Sequence, residues 1–347
     1  MPSGLFHSSY PKDERIFQTM WVKVWLGVFA LCLLIFPLVL GPYPTYVANI
    51  IGIYLIGALG LNILTGFTGQ ISIGHAAFMG VGAYAGANIS TALGWGFWAA
   101  LPVSGLVTAA VGMVFGIPSL RLRGLYLAIA TLAAQFIIEF AFMHLRGLTG
   151  GSQGFLVDAP RLGSFAFDND RRFYYLVLFI VVITVTFSRN LFRTRTGRAF
   201  IAIRDRYLAA EIMGVHLFKY RLLAFGISSF YAGVAGCLWG HYITIITPEH
   251  FNIAVSIKYL SMIIIGGLGS VLGTIFGTIF MVVLPELLRY LSDIIKETYP
   301  AFMMVFQALR EGVFGLVIIL FLIFEPDGLA SRWQTVKSYW KLWPFSY

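Results

Sequence analysis

Residues 47 to 64 read VANIIGIYLIGALGLNIL, and residues 65 to 82 continue as TGFTGQISIGHAAFMGVG. The first stretch carries no charge and is long enough to cross the hydrocarbon core of a bilayer as a helix. The second stretch is rich in glycine and polar side chains, and exposed peptide groups cost several kcal/mol each in lipid. These residues predict a membrane protein with a broken helix whose break is buried in protein or lines an aqueous path.

The composition of the whole chain supports the membrane class. Of its 347 residues, 59% are hydrophobic and 11% are charged, and the mean hydropathy is +0.82. A soluble core does not require so much apolar surface, so the bilayer must be the solvent. Cys32 and Cys237 both lie inside apolar runs, so we expect no disulfide framework, no metal site and no cofactor.

Apolar runs predict an all-α, polytopic fold of about ten transmembrane helices, one or more of them broken and glycine-rich. Residues 1–347 are expected to form a single membrane domain. The predicted spans are 24–40, 47–64, 75–93, 97–117, 125–142, 174–187, 222–246, 256–268, 271–288 and 303–324. We expect the first run to be a retained anchor, because no small-residue cleavage site follows it.

Lysine and arginine indicate the orientation of these spans. They collect in the loop 188–221 and in the tail 325–347. Because cytoplasmic loops collect such residues, both segments are predicted to be cytoplasmic, as are the segment 1–23 and both termini. These topology signals account for much of the net charge of +9, so no nucleic acid is expected as a partner. Attraction to anionic membrane lipid is a second possible use of the basic residues.

Polar and glycine residues inside the spans are the candidates for a substrate path or gate. They are Thr65, Gly66, Gly69, Gln70, Ser72, Gly74, His75, Gln135, Glu139, Gly266, Gly267 and Gly269. The alternative for the glycines is close helix packing. For Gln135 and Glu139, which share a helix face, it is a polar face packed inside the bundle. The recurrence of the first glycine pair in the second cluster is weak evidence for an internal duplication.

Single polar residues in the spans have plainer explanations. A lone histidine such as His75 is more often a hydrogen-bonded interior residue than a ligand, and no second metal ligand is suitably spaced. Lys258 lies near a span end, where its stem is expected to snorkel to the membrane interface. Arg310 and Glu311 lie inside the last span, and we expect a structural interhelical ion pair there.

The cytoplasmic stretch from Gly197 to Gly214 predicts a short amphipathic helix that is closed by glycine at each end. Its apolar face carries Phe200, Ile203, Tyr207, Ala210 and Met213. A helix of this kind either docks into the groove of a partner protein or lies flat on the membrane. The residues alone leave both possibilities open.

Signatures of an enzyme are missing from the sequence. Ser72 does not stand in a nucleophile elbow, so its closeness to His75 is no evidence for an intramembrane protease. No phosphate-cradling loop occurs in the chain, so any ATP hydrolysis is expected to reside in another polypeptide.

Ordered blocks along nearly the whole chain resemble the branched-chain amino acid ABC permeases, in particular their M-type subunit. The blocks are GQISIGHAAF at 69–78, GLYLAIATL at 124–132, TGGSQG at 149–154, GRA at 197–199, AIRD at 202–205, AAEIMG at 209–214, GGLGS at 266–270 and PDGL at 326–329. The chain departs from the family in a longer segment from Tyr290 to Thr298.

The resemblance implies a permease subunit in the bacterial inner membrane that is not itself an enzyme. Its implied partners are a homologous H-type permease, two cytoplasmic ABC ATPases and a periplasmic substrate-binding protein. The residues that the resemblance assigns to ATPase coupling are Arg198, Ala199, Phe200, Ile203, Arg204, Asp205, Tyr207, Ala210, Glu211 and Gly214.

The substrates that the resemblance implies are leucine, isoleucine, valine or similar small amino acids. A permease for urea or short-chain amides stays open as an alternative. A stand-alone, ion-coupled secondary transporter is the rival from another class, with Glu139 or the pair Arg310 and Glu311 as its coupling charges.

Overall fold

The computed structural model describes residues 20–91, 94–119, 124–162, 165–298, 303–325 and 327–342. Within them the chain is mostly helical. The helices are α1 Met20–Val39, α2 Pro42–Leu61, α3 His75–Thr91, α4 Phe97–Ser119, α5 Leu125–His144, α6 Arg146–Thr149, α7 Asp170–Leu191, α8 Arg195–Ile212, α9 Leu217–Ile243, α10 Ile253–Gly266, α11 Val271–Thr298, α12 Met303–Phe324 and α13 Gly328–Leu342.

Six helical stretches of the described chain are long and apolar enough to cross a membrane. They are Pro42–Phe67, Phe97–Pro118, Leu125–His144, Asp170–Leu191, Leu217–Ile243 and Val271–Tyr290. This finding confirms an all-α, polytopic membrane fold. Each of the ten predicted runs overlaps one helix, but the number of spans beyond these six and the side of each terminus stay predictions.

Helices α2 and α9 form the centre of the bundle. In their most apolar windows 78% and 72% of the residues are buried, against 33–39% in the other four candidate spans. Glycine permits this close packing: a methyl group at Gly82 would overlap the backbone of Gly233, and one at Gly236 would overlap the carbonyl oxygen of Met79. The small-residue packing proposed for the α3 glycines is therefore present, between α3 and α9.

Helix ends differ from the sequence-based boundaries where polar turns extend the apolar runs. Helix α7 includes the charged first turn from Asp170 to Arg172, ahead of the predicted start at 174. Helix α11 runs on through Thr298, so the segment from Tyr290 to Thr298 lengthens a helix. A helix can extend past its apolar residues because its backbone hydrogen bonds continue to form outside the hydrocarbon core.

Two small two-stranded sheets accompany the helices. In the first, β1 Phe155–Leu156 pairs antiparallel with β4 Ile245–Ile246. In the second, β2 Arg161–Leu162 pairs antiparallel with β3 Phe165–Ala166. The first sheet ties the loop after α6 to the end of α9, on the side of the bundle away from the loop that carries α8.

Candidate coupling site

The chain leaves helix α2 through a buried π-helical turn at Asn62–Phe67. Side-chain hydroxyl groups donate hydrogen bonds to backbone carbonyls where the turn ends. The Thr68 hydroxyl donates to the carbonyl of Ile63 at 2.9 Å, and the Thr65 hydroxyl donates to that of Gln70 at 3.1 Å. The predicted break is therefore present and buried in protein. Single π-helical turns are frequent at functional sites.

The two glycine clusters of the sequence meet at this turn. Asn62 Oδ1 accepts a hydrogen bond from the Gly269 amide at 2.9 Å. Its amide group donates to the Ser270 carbonyl at 3.0 Å and to the Thr274 hydroxyl at 2.7 Å. A methyl group at Gly66 would overlap both Asn62 Oδ1 and the Gly269 nitrogen. We name this arrangement, Asn62 and Gly66 against residues 269–274, the glycine junction.

The second glycine cluster also makes tight contacts of its own. Gly266 faces Gly273 so closely that a methyl group on either would overlap the other's carbonyl oxygen. Gly267 has a φ of +111°, a conformation that L side chains rarely adopt. The backbone of Gly328, at the start of α13, packs directly on Gly267. The tail helix therefore begins at the glycine junction.

Arg204 connects helix α8 to the same junction. Its Nη1 donates to the Gly66 carbonyl at 3.0 Å, and its Nε donates to Asp205 at 3.0 Å. A methyl group at Gly69, which has a φ of +72°, would press on Arg204 Cγ at 3.2 Å. A cation at this position is favourable because the last carbonyls of a helix lack partners and carry a partial negative charge.

The structure corrects the predicted start of the cytoplasmic helix. Helix α8 begins two residues before Gly197, and Thr194 caps it by accepting a hydrogen bond from the Gly197 amide at 3.3 Å. Gly214, with a φ of +86°, ends it as predicted. Arg206 has φ −152° and ψ 90°, so the helix is kinked there into two parts.

The apolar face of α8 from Ala199 to Ala210 is covered by this chain itself, while the role of these residues in ATPase coupling stays a prediction. The buried residues are Ala199, Phe200, Ile203 and Ala210. Phe200 packs edge to face on Tyr220 of α9. The half-buried ring of Tyr207 has the Arg221 guanidinium 5.8 Å from its centre. A helix face needs a hydrophobic surface to cover it, and α9 provides one that the sequence pattern does not reveal.

Other apolar residues stand free beyond the kink, among them Met213 of the predicted apolar face. Leu208, Ile212 and Met213 are 59%, 85% and 84% exposed. The polar coupling candidates Arg198, Asp205 and Glu211 are exposed as well. An open groove of about 420 Å³ lies beside them, lined by Glu211, Arg221 and residues 214–218. We call the surface of Leu208, Ile212 and Met213 the distal patch.

Gln135 holds three elements together in the bundle interior. It is fully buried, and its Oε1 accepts hydrogen bonds from the Ala77 amide at 2.9 Å and the Ser256 hydroxyl at 3.1 Å. Its amide group donates to the Phe251 carbonyl at 2.6 Å. Glu139, one turn further along α5, is half-buried. Gln135 therefore packs inside the bundle, as in the alternative considered for Gln135 and Glu139.

His75 is likewise an interior hydrogen-bonded residue. Its Nε2 lies 2.8 Å from the Gly57 carbonyl, and its ring meets Tyr259 edge to face. Ser72 Oγ is buried and has no hydrogen-bond partner among the described residues. A methyl group at Gly74 would overlap the carbonyl oxygen of Thr131. Among the described residues no three His, Cys, Asp or Glu side chains gather at a potential metal site.

Further charged span residues with predicted roles are Arg310, Glu311 and Lys258. The side chains of Arg310 and Glu311, for which an interhelical ion pair is predicted, lie outside the described residues. That the Lys258 stem snorkels to the membrane interface stays a prediction. Lys258 is half-buried, and its Nζ lies 4.5 Å from the centre of the Tyr54 ring.

Asn62, Thr131 and Thr274 are site residues that sequence reasoning missed. Thr131 accepts a hydrogen bond from the Ile73 amide at 3.0 Å and so fixes the chain just before α3. Each is a single uncharged polar residue within an apolar run. For Asn62 a signal was available, because an amide just ahead of a glycine-rich break indicates an unpaired backbone to be satisfied.

A broken helix buried in a polytopic bundle, and tied to a helix outside the bundle, is typical of membrane transport proteins. The comparisons agree. The chain belongs to the family described as the branched-chain amino acid transport system permease component, whose model matches residues 43–322. It is a multi-pass inner-membrane protein.

Relatives of both subunit types are similar to the chain. It is 31% identical to the high-affinity branched-chain amino acid transport system permease protein LivM of Salmonella typhimurium, over 90% of this chain and 76% of the relative. It is 26% identical to a probable LivM of Methanocaldococcus jannaschii, over 66% and 67%. It is 22% identical to the LivH permease protein of Escherichia coli, over 82% and 93%. No solved structure matches the chain.

Proposed function

We propose that the chain is the M-type permease subunit of a binding-protein-dependent ABC importer for leucine, isoleucine and valine. The observation that carries the proposal is the hydrogen bond from Arg204 to Gly66, because it links an extramembrane helix to a broken helix in the bundle. The names of the relatives LivM and LivH support the substrate class. A urea or short-chain amide importer is the alternative within the same class.

The proposed partners are a homologous H-type permease, two cytoplasmic ABC ATPases and a periplasmic binding protein. Similarity to LivM and LivH alike supports pairing of two homologous halves. ATP hydrolysis is assigned to the ATPases, since the chain has no phosphate-cradling loop. The distal patch and the groove beside it are assigned to ATPase docking, because they are exposed and lie at one end of α8.

The geometry suggests how motion passes from the ATPases to the membrane. A displacement of α8 moves Arg204, which pulls on the Gly66 carbonyl at the end of the broken helix. Asn62 then transmits the movement to Gly269 and Ser270 at the start of α11. Glycine backbones absorb the change because they tolerate φ values that other residues rarely adopt.

Reconstitution tests the proposal directly. Vesicles that contain the chain, the H-type permease and both ATPases should import leucine only when ATP and the loaded binding protein are supplied. The purified chain alone should not hydrolyse ATP. Uptake by vesicles that contain this chain alone, driven by an ion gradient, would instead establish the secondary transporter. Import of urea without leucine would establish the alternative substrate class.

The basic loops predict the topology. A tag at residue 205 and a tag at the C-terminus should both be accessible only from the cytoplasm, and a tag near residue 160 only from the periplasm. Labelling of intact cells and of inverted vesicles checks this arrangement. Finding residues 160 and 205 on the same side would contradict the span assignment.

The distal patch predicts a separable docking defect. Ile212→Asp places a charge on a residue that is 85% exposed, so the chain should fold normally. Loss of a hot-spot side chain at an interface costs about 2 kcal/mol or more, so co-purification of the ATPases should fall more than tenfold. Ile245→Asp, the same change at an exposed residue on the opposite side of the bundle, is the control. Wild-type recovery of the ATPases with Ile212→Asp would remove the patch from the interface.

A further inference from the structure

Lys258 is a charged side chain that the coupling site does not use. It lies in the second turn of α10, half-buried, with its ammonium group over the ring of Tyr54. No carboxylate of the described residues forms an ion pair with it. A partly buried cation gains from an aromatic face, but less than its burial costs when it forms no direct ion pair. The position therefore favours an anionic ligand.

The surroundings of Lys258 add a second unused donor. Tyr54 is 7% exposed, and Trp239 of α9 packs against it with ring centres 5.6 Å apart. The Trp239 indole Nε1 is buried and has no hydrogen-bond partner among the described residues. A buried donor without an acceptor is costly, and such groups are usually satisfied. The Lys258 ammonium group and the Trp239 side chain, each with a donor that lacks an acceptor in the described part of the chain, therefore both lie against the ring of Tyr54.

An acidic group lies within electrostatic range of Lys258. Glu286 of α11 is close enough to interact electrostatically with Lys258 but does not form a direct ion pair with it. Glu286 is held by the Tyr43 hydroxyl and by Arg289 at 3.8 Å. A positive group, a negative group and aromatic side chains beside the positive one match a zwitterion that has an apolar side chain.

We propose that Lys258 binds the α-carboxylate of the transported amino acid, with Tyr54 and Trp239 as the wall of the site and Glu286 facing the ammonium end. The inference rests on the proposed function, because it takes an α-amino acid as the substrate.

The test uses the two ends of leucine separately. Radioactive leucine is bound to the permease pair in phosphatidylcholine nanodiscs without the binding protein. It is then displaced with 4-methylpentanoate, which lacks the amino group, or with 3-methylbutylamine, which lacks the carboxylate. In Lys258→Met, displacement by 4-methylpentanoate should weaken roughly tenfold, as expected for loss of one charge-assisted hydrogen bond. Displacement by the amine should be unchanged.

Further variants separate this role from a structural one. Lys258→Arg keeps the charge and should retain displacement by 4-methylpentanoate. Lys337→Met, the same change at an exposed lysine of α13, should behave as wild type. Equal weakening of both analogues in Lys258→Met would indicate a structural role and overturn the proposal. Dissociation of the permease pair in that variant would assign Lys258 to the partner subunit and overturn it as well.

Two outcomes distinguish this inference from the proposed function. If the wild-type complex imports no leucine, the proposed function fails. If the wild-type complex imports leucine but Lys258→Met keeps full displacement by 4-methylpentanoate, only the carboxylate site fails. A defect that appears only when phosphatidylglycerol is added to the nanodiscs would assign Lys258 to an anionic lipid headgroup and also overturn the carboxylate site.

Discussion

Replacement of Gly66 by alanine should lower the free energy of unfolding by about 3 kcal/mol, from overpacking and from lost hydrogen bonds. The added methyl group would overlap Asn62 Oδ1 and the Gly269 nitrogen, so it would separate the two groups that the junction joins. Asn62 and Thr274 are almost fully buried, so their polar groups would find no water instead. Thermal unfolding in detergent should show a clearly lower midpoint.

Gly27→Ala is the matched control for this experiment. Gly27 lies within helix α1, and a methyl group there would meet nothing within 4 Å. Alanine favours a helix over glycine by roughly 1 kcal/mol, so this variant should be as stable as wild type or slightly more so. A Gly66→Ala chain that unfolds at the wild-type midpoint would show that the junction is looser than these contacts imply.

Asn62→Ala tests the same junction from the other partner. It removes the acceptor of the Gly269 amide and the donor to Ser270 and Thr274, but it adds no bulk. We therefore expect a loss of stability from unmade hydrogen bonds alone, about 1–3 kcal/mol for a buried amide left unpaired. If both variants weaken the fold, the junction is stabilised by its bonds as well as by its packing.

The broken helix could be predicted because glycine and polar residues violate the composition of a lipid-facing span. The segment from Gly66 to Gly74 has to be shielded from lipid, and most of it is buried, with Gly69 and Ile71 exposed. What shields it could not be predicted, because residue 62 and residue 269 are far apart in sequence. Their pairing depends on how α2 and α11 pack, and periodicity along one helix carries no information about its neighbour.

For helix α8, the sequence predicts the helix itself but not what covers its apolar face. Its amphipathic pattern predicts a helix correctly, and a face with Phe200 and Ile203 has to be buried somewhere. The pattern does not distinguish burial by another protein from burial by the same chain. Here α9 covers that face, and the residues left exposed, Ile212 and Met213, stand at the end of the helix.

Arg204→Met should uncouple ATP hydrolysis from import while leaving the complex assembled. Methionine has similar length but cannot donate to the Gly66 carbonyl, and a hydrogen bond from a charged group contributes roughly 1.5–3 kcal/mol. If that bond keeps α8 and the broken helix moving together, its loss should lower leucine imported per ATP hydrolysed by about tenfold or more. ATPase recovery should stay near wild type, because Arg204 precedes the kink at Arg206 and the distal patch follows it.

Two further variants make this result specific. Arg204→Lys keeps a positive donor at the end of the broken helix and should retain much of the coupling. Arg195→Met removes an exposed arginine at the first residue of the same helix, outside the coupling candidates, so it should import leucine with wild-type efficiency. If Arg204→Met also transports at the wild-type ratio to ATP, the motion of α8 reaches the bundle by packing of Phe200 and Ile203 on α9. The bond to Gly66 would then be only structural.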